Sequence, residues 1–304
     1  MGFMRLHPLR NSTSRFVALE IHGDHQMIRL IQFETYKLIR QPRIWLTFAV
    51  MTVLMFLINL GMAIDGQKMI ELLIKPLSDQ FIISGNLING NLIAYVSLNM
   101  LWVHIPILLV IVTGDLVSGE FDAGTIRLAL CSTFTRGQWL TAKVAAAFIY
   151  IFFFMLLSGV LMFIPAQLVF GSGDLLVFNA GIQVIEEQEV LWRFVLALLY
   201  GTVGMMTFAS ISILFSILLR NSLAAILVSL GILIVSTLLQ TFGMGIFESW
   251  RNLLFTWHMA QWQNLFFNEV EIIPLCKSLG VLLAHQVLVL AIAFILFKRM
   301  KITE

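Results

Sequence analysis

Six long apolar runs decide what this chain can become: Ile44–Ala63, Leu92–Val112, Val144–Phe170, Leu191–Leu219, Leu223–Phe242 and Leu279–Phe297. A helix needs roughly 20 mostly apolar residues to cross a bilayer, and each run supplies about that many. The runs are continuous and do not alternate, so they predict helices rather than barrel strands. Charged residues make up 12% of the 304 residues, against about 25% in a soluble domain. The expected fold is therefore an all-α membrane protein with six transmembrane helices. The third and fourth runs are long enough to tilt or to project beyond the bilayer.

The distribution of Lys and Arg predicts the orientation. With both termini inside, the inner segments hold Arg5, Arg10, Arg15, Arg29, Lys37, Arg40 and Arg43 before the first span, then Arg127, Arg136 and Lys143, then Arg220, then Lys298, Arg299 and Lys301. The outer segments hold only Lys68, Lys75, Arg193, Arg251 and Lys277. Residues 1–43 contain no apolar core of a signal peptide. Residues 1–26 are expected to be a flexible tail, and residues 27–304 the membrane domain. Met27–Gln41 reads as an interfacial helix. Met27, Ile28, Ile31, Leu38 and Ile39 form its apolar face, with Arg29, Glu34, Lys37, Arg40 and Gln41 opposite. Pro42 is expected to end it and turn the chain into the membrane. Trp45, Trp139 and Trp192 lie where interfacial anchors belong. The aromatic segment around Trp250, Phe255, Trp257, Trp262, Phe266 and Phe267 reads either as a helix resting on the outer leaflet or as a re-entrant gate. Cys131 and Cys276 fall on opposite sides of the bilayer in this topology and predict no disulfide.

Between the second and third runs lies a polar island, Gly114–Lys143. Asp115 and Glu120 follow the end of one span, Gly124-Thr125 breaks the helix, Arg127 opens a short amphipathic segment, and Arg136 and Lys143 lead into the next span. Such an element is either a lever rigidly joined to two spans or a solvated connector.

The pattern D-x4-E-x3-G-T-I-R-x2-L, followed by T-R and then K, resembles the loop between the second and third spans of type-2 ATP-binding-cassette (ABC) exporter permeases. The matching residues are Asp115, Glu120, Gly124, Thr125, Arg127, Leu130, Arg136 and Lys143. The stretch Phe215–Leu227, FSILLRNSLAAIL, resembles the family's tight basic turn between the fourth and fifth spans and contains Arg220. The resemblance runs from Met27 almost to the C-terminus. Ser132-Thr133-Phe134 departs from it, because many members carry a proline there. It implies an interfacial elbow helix and a coupling helix within 114–143 that docks on a separate ATPase. Glu120 would then sit at the ATPase contact, paired with a basic residue there or with Arg127. Gly124 would permit the reversal, and Arg127 and Arg136 would meet the partner or lipid phosphate. Implied partners are two copies of an ABC ATPase subunit, a second permease copy or paralogue, and membrane lipids. Location in a bacterial plasma (inner) membrane is likewise implied, and nucleic acid is not a partner.

No phosphate-binding G-x4-G-K-[ST] loop occurs in the sequence, so no cofactor is expected on this chain, and ATP and Mg would reside on the partner ATPase. There is no H-E-x-x-H or paired-cysteine motif for a metal. The spans carry no charge away from their ends, which argues against ion coupling through buried acids. Asn59, Asn99, His104 and His285 are the polar candidates for a substrate path, with interhelical hydrogen bonds as the alternative use. Small residues along the fourth run (Ala197, Gly201, Gly204, Ser210, Ser212) predict close helix packing. Two other classes compete with a permease. One is an intramembrane enzyme built on Ser158, Ser210, Ser212, His104 and His285, which no motif joins. The other is a non-transporting scaffold.

Overall fold

Five helices long and apolar enough to cross a membrane, plus one bent pair, make up the core of the computed structural model, which describes residues 12–74, 88–127, 134–178, 182–242 and 248–300. In chain order, α1 is Ser12–Ile39 and α2 is Pro42–Ile74. The second span is split into α3, Gly90–Leu101, and α4, His104–Thr113. A short α5, Ser118–Asp122, precedes α6, Arg136–Phe170, and strands β1, Leu175–Phe178, and β2, Ile182–Ile185. Then come α7, Glu187–Leu219, and α8, Ser222–Phe242. Two short helices, α9 (Glu248–Arg251) and α10 (Phe255–Met259), lead through a 3-10 turn, Ala260–Phe266, to α11, Ile272–Arg299. The protein is thus a helical membrane protein with the β-hairpin as its departure from the all-helical expectation.

Several expected boundaries hold, and several move. Helix α2 opens at Pro42, where the missing N–H costs nothing because the first-turn donors of a helix have no partner anyway. Helix α1 reaches back to Ser12, into the expected flexible tail, while residues 1–11 lie outside the described residues. The second span is not one straight helix but bends by 50° between Leu101 and His104. Pro106 explains the break. It has no N–H to give the Trp102 carbonyl four residues back, and its ring crowds that carbonyl. The His104 ring occupies part of the gap, with Nδ1 2.9 Å from the Met100 carbonyl oxygen.

Helix α7 forms the axis of the bundle, with 67% of its apolar window buried against 11% for α11. Its small residues make this possible. A methyl group at Gly201 would stand 3.0 Å from the Trp102 ring, and one at Gly204 would stand 3.0 Å from Met259. Helices α2, α8 and α11 turn rows of exposed apolar side chains outward, such as Phe56 and Leu57, Leu227 and Ile234, Val287 and Leu288. That is the surface a lipid-facing helix presents.

At the end of the bundle where α3 starts, the β-hairpin and the aromatic segment form a cap. Asn89 Nδ2 donates to the Asp174 carbonyl at 2.7 Å, and Asn91 Nδ2 to the Gly173 carbonyl at 2.6 Å. The aromatic segment is exposed at Trp250 and buried at Phe255, Trp262 and Phe266. Trp262 is fully buried and packs on Trp102 at 5.1 Å, while Phe266 packs on Tyr95 and Phe194, each at 5.0 Å. Trp45 and Trp192 are exposed as anchors should be, but Trp139 is 2% exposed and stacks on Phe297 at 5.3 Å.

Candidate functional site

At the other end of the bundle, the polar island folds back onto the helices around it. Helix α5 closes with a pair of hydrogen bonds, Thr125 N to Glu120 O at 2.9 Å and Gly124 N to Phe121 O at 3.0 Å. This Schellman arrangement needs a left-handed residue after the helix, and Gly124 supplies it with φ +67°. The sequence pair Gly124-Thr125 is therefore a helix stop with a defined geometry. The return arm starts at Thr135, whose hydroxyl caps α6 by accepting from Gln138 N at 3.2 Å, while Gln138 Oε1 accepts from Thr135 N at 2.9 Å. Residues 128–133, which include Leu130, Cys131, Ser132 and Thr133, lie outside the described residues, so the expected short amphipathic helix is described only at Ile126 and Arg127.

The hairpin is fastened to five helices. Glu120 Oε1 lies 2.6 Å from Lys37 Nζ of α1 and 2.6 Å from Lys143 Nζ of α6. Lys143 also reaches Glu34 of α1 at 3.0 Å, and its ammonium lies 4.6 Å from the centre of the Trp139 ring. Asp115 pairs with Arg43 at the start of α2. On the α7 side, Ser216 Oγ accepts from Val117 N at 3.1 Å and Ser118 N at 2.8 Å. On the α8 side, Asp122 Oδ2 accepts from Ser222 N at 2.9 Å, and a methyl at Gly114 would come 2.8 Å from Ile226. Asp122 is held below the usual aspartate range by these hydrogen bonds from Ser222.

The eight residues picked out in the island and the basic turn separate by exposure. Asp115, Glu120 and Lys143 are buried and ion-paired within the chain, with Glu120 Oε2 left without a hydrogen-bond partner. Glu120 pairs with Lys37 and Lys143, and among the described residues it makes no ion pair with Arg127. Its neighbours were hidden in the sequence because Glu34 and Lys37 read as part of the solvated stripe of α1, whereas Glu34 is buried and Lys37 half-buried against the hairpin while Arg29 and Arg40 stay exposed. Arg136 Nη1 donates to the Met300 carbonyl at 2.7 Å, which ties α6 to the end of α11. Arg220 ends α7 with φ +53°, a left-handed conformation that disfavours a residue with a Cβ. Its guanidinium lies 5.6 Å over the Phe121 ring, which brings the basic turn onto the hairpin. Gly124, Thr125 and Arg127 remain exposed at the tip.

Burial alone would raise the pKa of Glu120. The charges and hydrogen bonds of Lys143 and Lys37 outweigh it and hold the carboxyl below the ordinary value of 4.5. Because the folded value is the lower one, the pairing contributes fully above pH 4.5 and is lost as pH falls through the folded value. The unfolding temperature of the full chain in detergent should accordingly be insensitive to this group from neutral pH down to that point. Below it, the wild type should lose stability more steeply than Glu120→Gln. Parallel acid limbs would remove Glu120 from the fastening.

The four substrate-path candidates are each bonded to their own helix. Asn59 Nδ2 donates to Met55 O and Asn99 Nδ2 to Tyr95 O, both at 2.9 Å, and His285 Nδ1 lies 2.9 Å from Val281 O. His104 repeats the pattern at the break of span 2. Two of them also reach the aromatic cap: Asn99 Oδ1 accepts from Gln263 at 3.0 Å, and His285 Nε2 lies 3.2 Å from Leu253 O. These bonds serve to hold helices and cap together. The cap has a further clamp that the sequence reading missed. Arg193, 3% exposed, donates through Nη1 to Leu265 O at 3.0 Å and to Phe267 O, and through Nη2 to Glu189. Only its position near a span end was visible in the sequence, and that reads as an ordinary flanking charge.

No curated protein matches the chain. One family does, described as "Protein of unknown function (DUF2705)", over residues 77–303. This match runs from ahead of α3 through α11 and takes in the hairpin, the basic turn and the aromatic cap, so the chain belongs to the DUF2705 family.

Proposed function

We propose that this protein is the membrane permease subunit of an ATP-driven exporter of the ABC type, working as a dimer with a separate ATPase that grips the 114–143 hairpin. The observation that carries this reading is mechanical. A five-residue helix with an exposed tip is bonded at once to α1, α6, α7 and α8, so a displacement of the tip is delivered to most of the bundle. A solvated connector needs none of these fastenings. The hairpin faces the cytoplasm in this reading, because the Lys and Arg of its side outnumber those of the other. Helix α1 is the elbow.

In this reading, exposure divides the residues of the island between two roles. Asp115, Glu120 and Lys143 transmit force inside the chain, and Thr125 and Arg127 at the tip make the contact. Two copies with two ATPases would enclose the path. The test is purification of the tagged full-length chain in mild detergent and assay of vanadate-sensitive ATP hydrolysis in the eluate. Wild type should bring ATPase activity with it. Arg127→Glu, which alters an exposed side chain, should lose at least tenfold of that activity at an unchanged elution volume. Wild-type eluate without ATPase activity, or full recovery with Arg127→Glu, would overturn the assignment.

A further inference from the structure

Beside the hairpin lies an open-sided cavity of about 760 Å³, lined by α1, α5 and the first turns of α2 and α6. That is within the range of small-molecule sites. Its walls are largely apolar, with Leu30, Phe33, Leu116 and Trp139, and its charges are four cations against three acids. Each acid already has an ion-pair partner, Glu34 in Lys143, Glu120 in Lys37 and Lys143, and Asp115 in Arg43, with Glu120 Oε2 left unbonded. The cations are not used up. Arg29 makes no ion pair among the described residues, and the partly exposed Lys37 and Arg43 keep unused donors.

The cavity sits at headgroup depth. Arg43 on its rim is the second residue of the first span. Two residues on, Trp45 is 63% exposed, with its indole N–H donating to Ile39 O at 3.0 Å, the habit of an interfacial tryptophan. Next to the cavity, α1 turns Ile28, Tyr36 and Ile39 outward. A hydrophilic anion would gain nothing from the Phe33, Leu116 and Trp139 walls, whereas a phosphodiester carrying acyl chains matches both parts. Basic pockets at the membrane face are a known form of anionic-lipid site.

We propose that this cavity binds the headgroup of an anionic phospholipid, its phosphate against Arg29, Lys37 and Arg43 and its chains leaving past Phe33 into the bilayer. The inference needs only the membrane placement of the chain and stands or falls independently of the ATPase.

Native mass spectrometry of the full chain in detergent tests it, with phosphatidylglycerol and phosphatidylcholine of matched chains and inorganic phosphate as competitor. One phosphatidylglycerol should be retained at least tenfold more tightly than phosphatidylcholine and should survive excess phosphate. Arg29→Gln, which breaks no described ion pair, should weaken retention about fivefold. Arg251→Gln, at the far end of the bundle, should leave it unchanged. Equal retention of the two lipids, displacement by phosphate, no effect of Arg29→Gln, or an equal effect of Arg251→Gln would each overturn the proposal.

Discussion

Replacing Lys143 with Met is expected to cost about 3–5 kcal/mol of stability, the range for breaking a buried ion pair by removing one partner. Lys143 is 4% exposed along its side chain and is the shared partner of Glu34 and Glu120, which are 6% and 7% exposed. Methionine fills similar space but leaves Glu34 without its ion-pair partner and Glu120 with only Lys37. The penalty is the cost of two poorly compensated buried carboxylates, not the net worth of the pairs. A triple variant, Glu34→Gln with Glu120→Gln and Lys143→Met, should therefore regain most of the loss. Thermal unfolding of the full chain in detergent reads both. If Lys143→Met unfolded with the wild type, or the triple variant were worse than the single one, the account of the cluster would fail.

The second large effect is expected at the opposite end. Arg193→Leu removes the donors for the Leu265 and Phe267 carbonyls, and a buried acceptor left without a partner costs about 1–3 kcal/mol. A loss of about 3 kcal/mol is expected, concentrated in the cap. Glu189 contributes little to it because its side chain is 50% exposed and regains water. Chymotrypsin should find new cleavage sites between Trp250 and Phe267 in Arg193→Leu before the bundle itself unfolds. Arg193→Lys should restore only part of the protection, since one ammonium cannot reproduce the planar fork. An unchanged digestion pattern in Arg193→Leu would show that the cap is held by its aromatic packing alone.

The spans were legible because burial in a bilayer writes itself into long apolar runs, and Pro42 and Gly124 were legible because only special backbone chemistry fits those positions. The inward turn of Glu34 and Lys37 was not. An acid and a base three residues apart on a helix look alike whether water or a partner waits beyond them, and the partner Lys143 lies 109 residues from Glu34. The kink of span 2 was written in Pro106, but a run of hydropathy averages over one proline. Trp139 has the same place near a span end whether it anchors in the interface or packs inside; Phe297, at the far end of the chain, decides the matter. The β-hairpin has only two four-residue strands, too short for alternation to register.

The kink at Trp102 also governs how motion can spread. The cap-side half of span 2, α3, packs on α6, and the hairpin-side half, α4, packs mainly on α7 and α2. A rod would carry a tilt from one membrane face to the other unchanged, whereas two shafts meeting at 50° need not turn together. In the proposed permease, a push entering at the hairpin would therefore reach the cap through α6 and α7, which run unbroken, and the joint beside Gly201 would let the hairpin-side shaft swing without moving the cap.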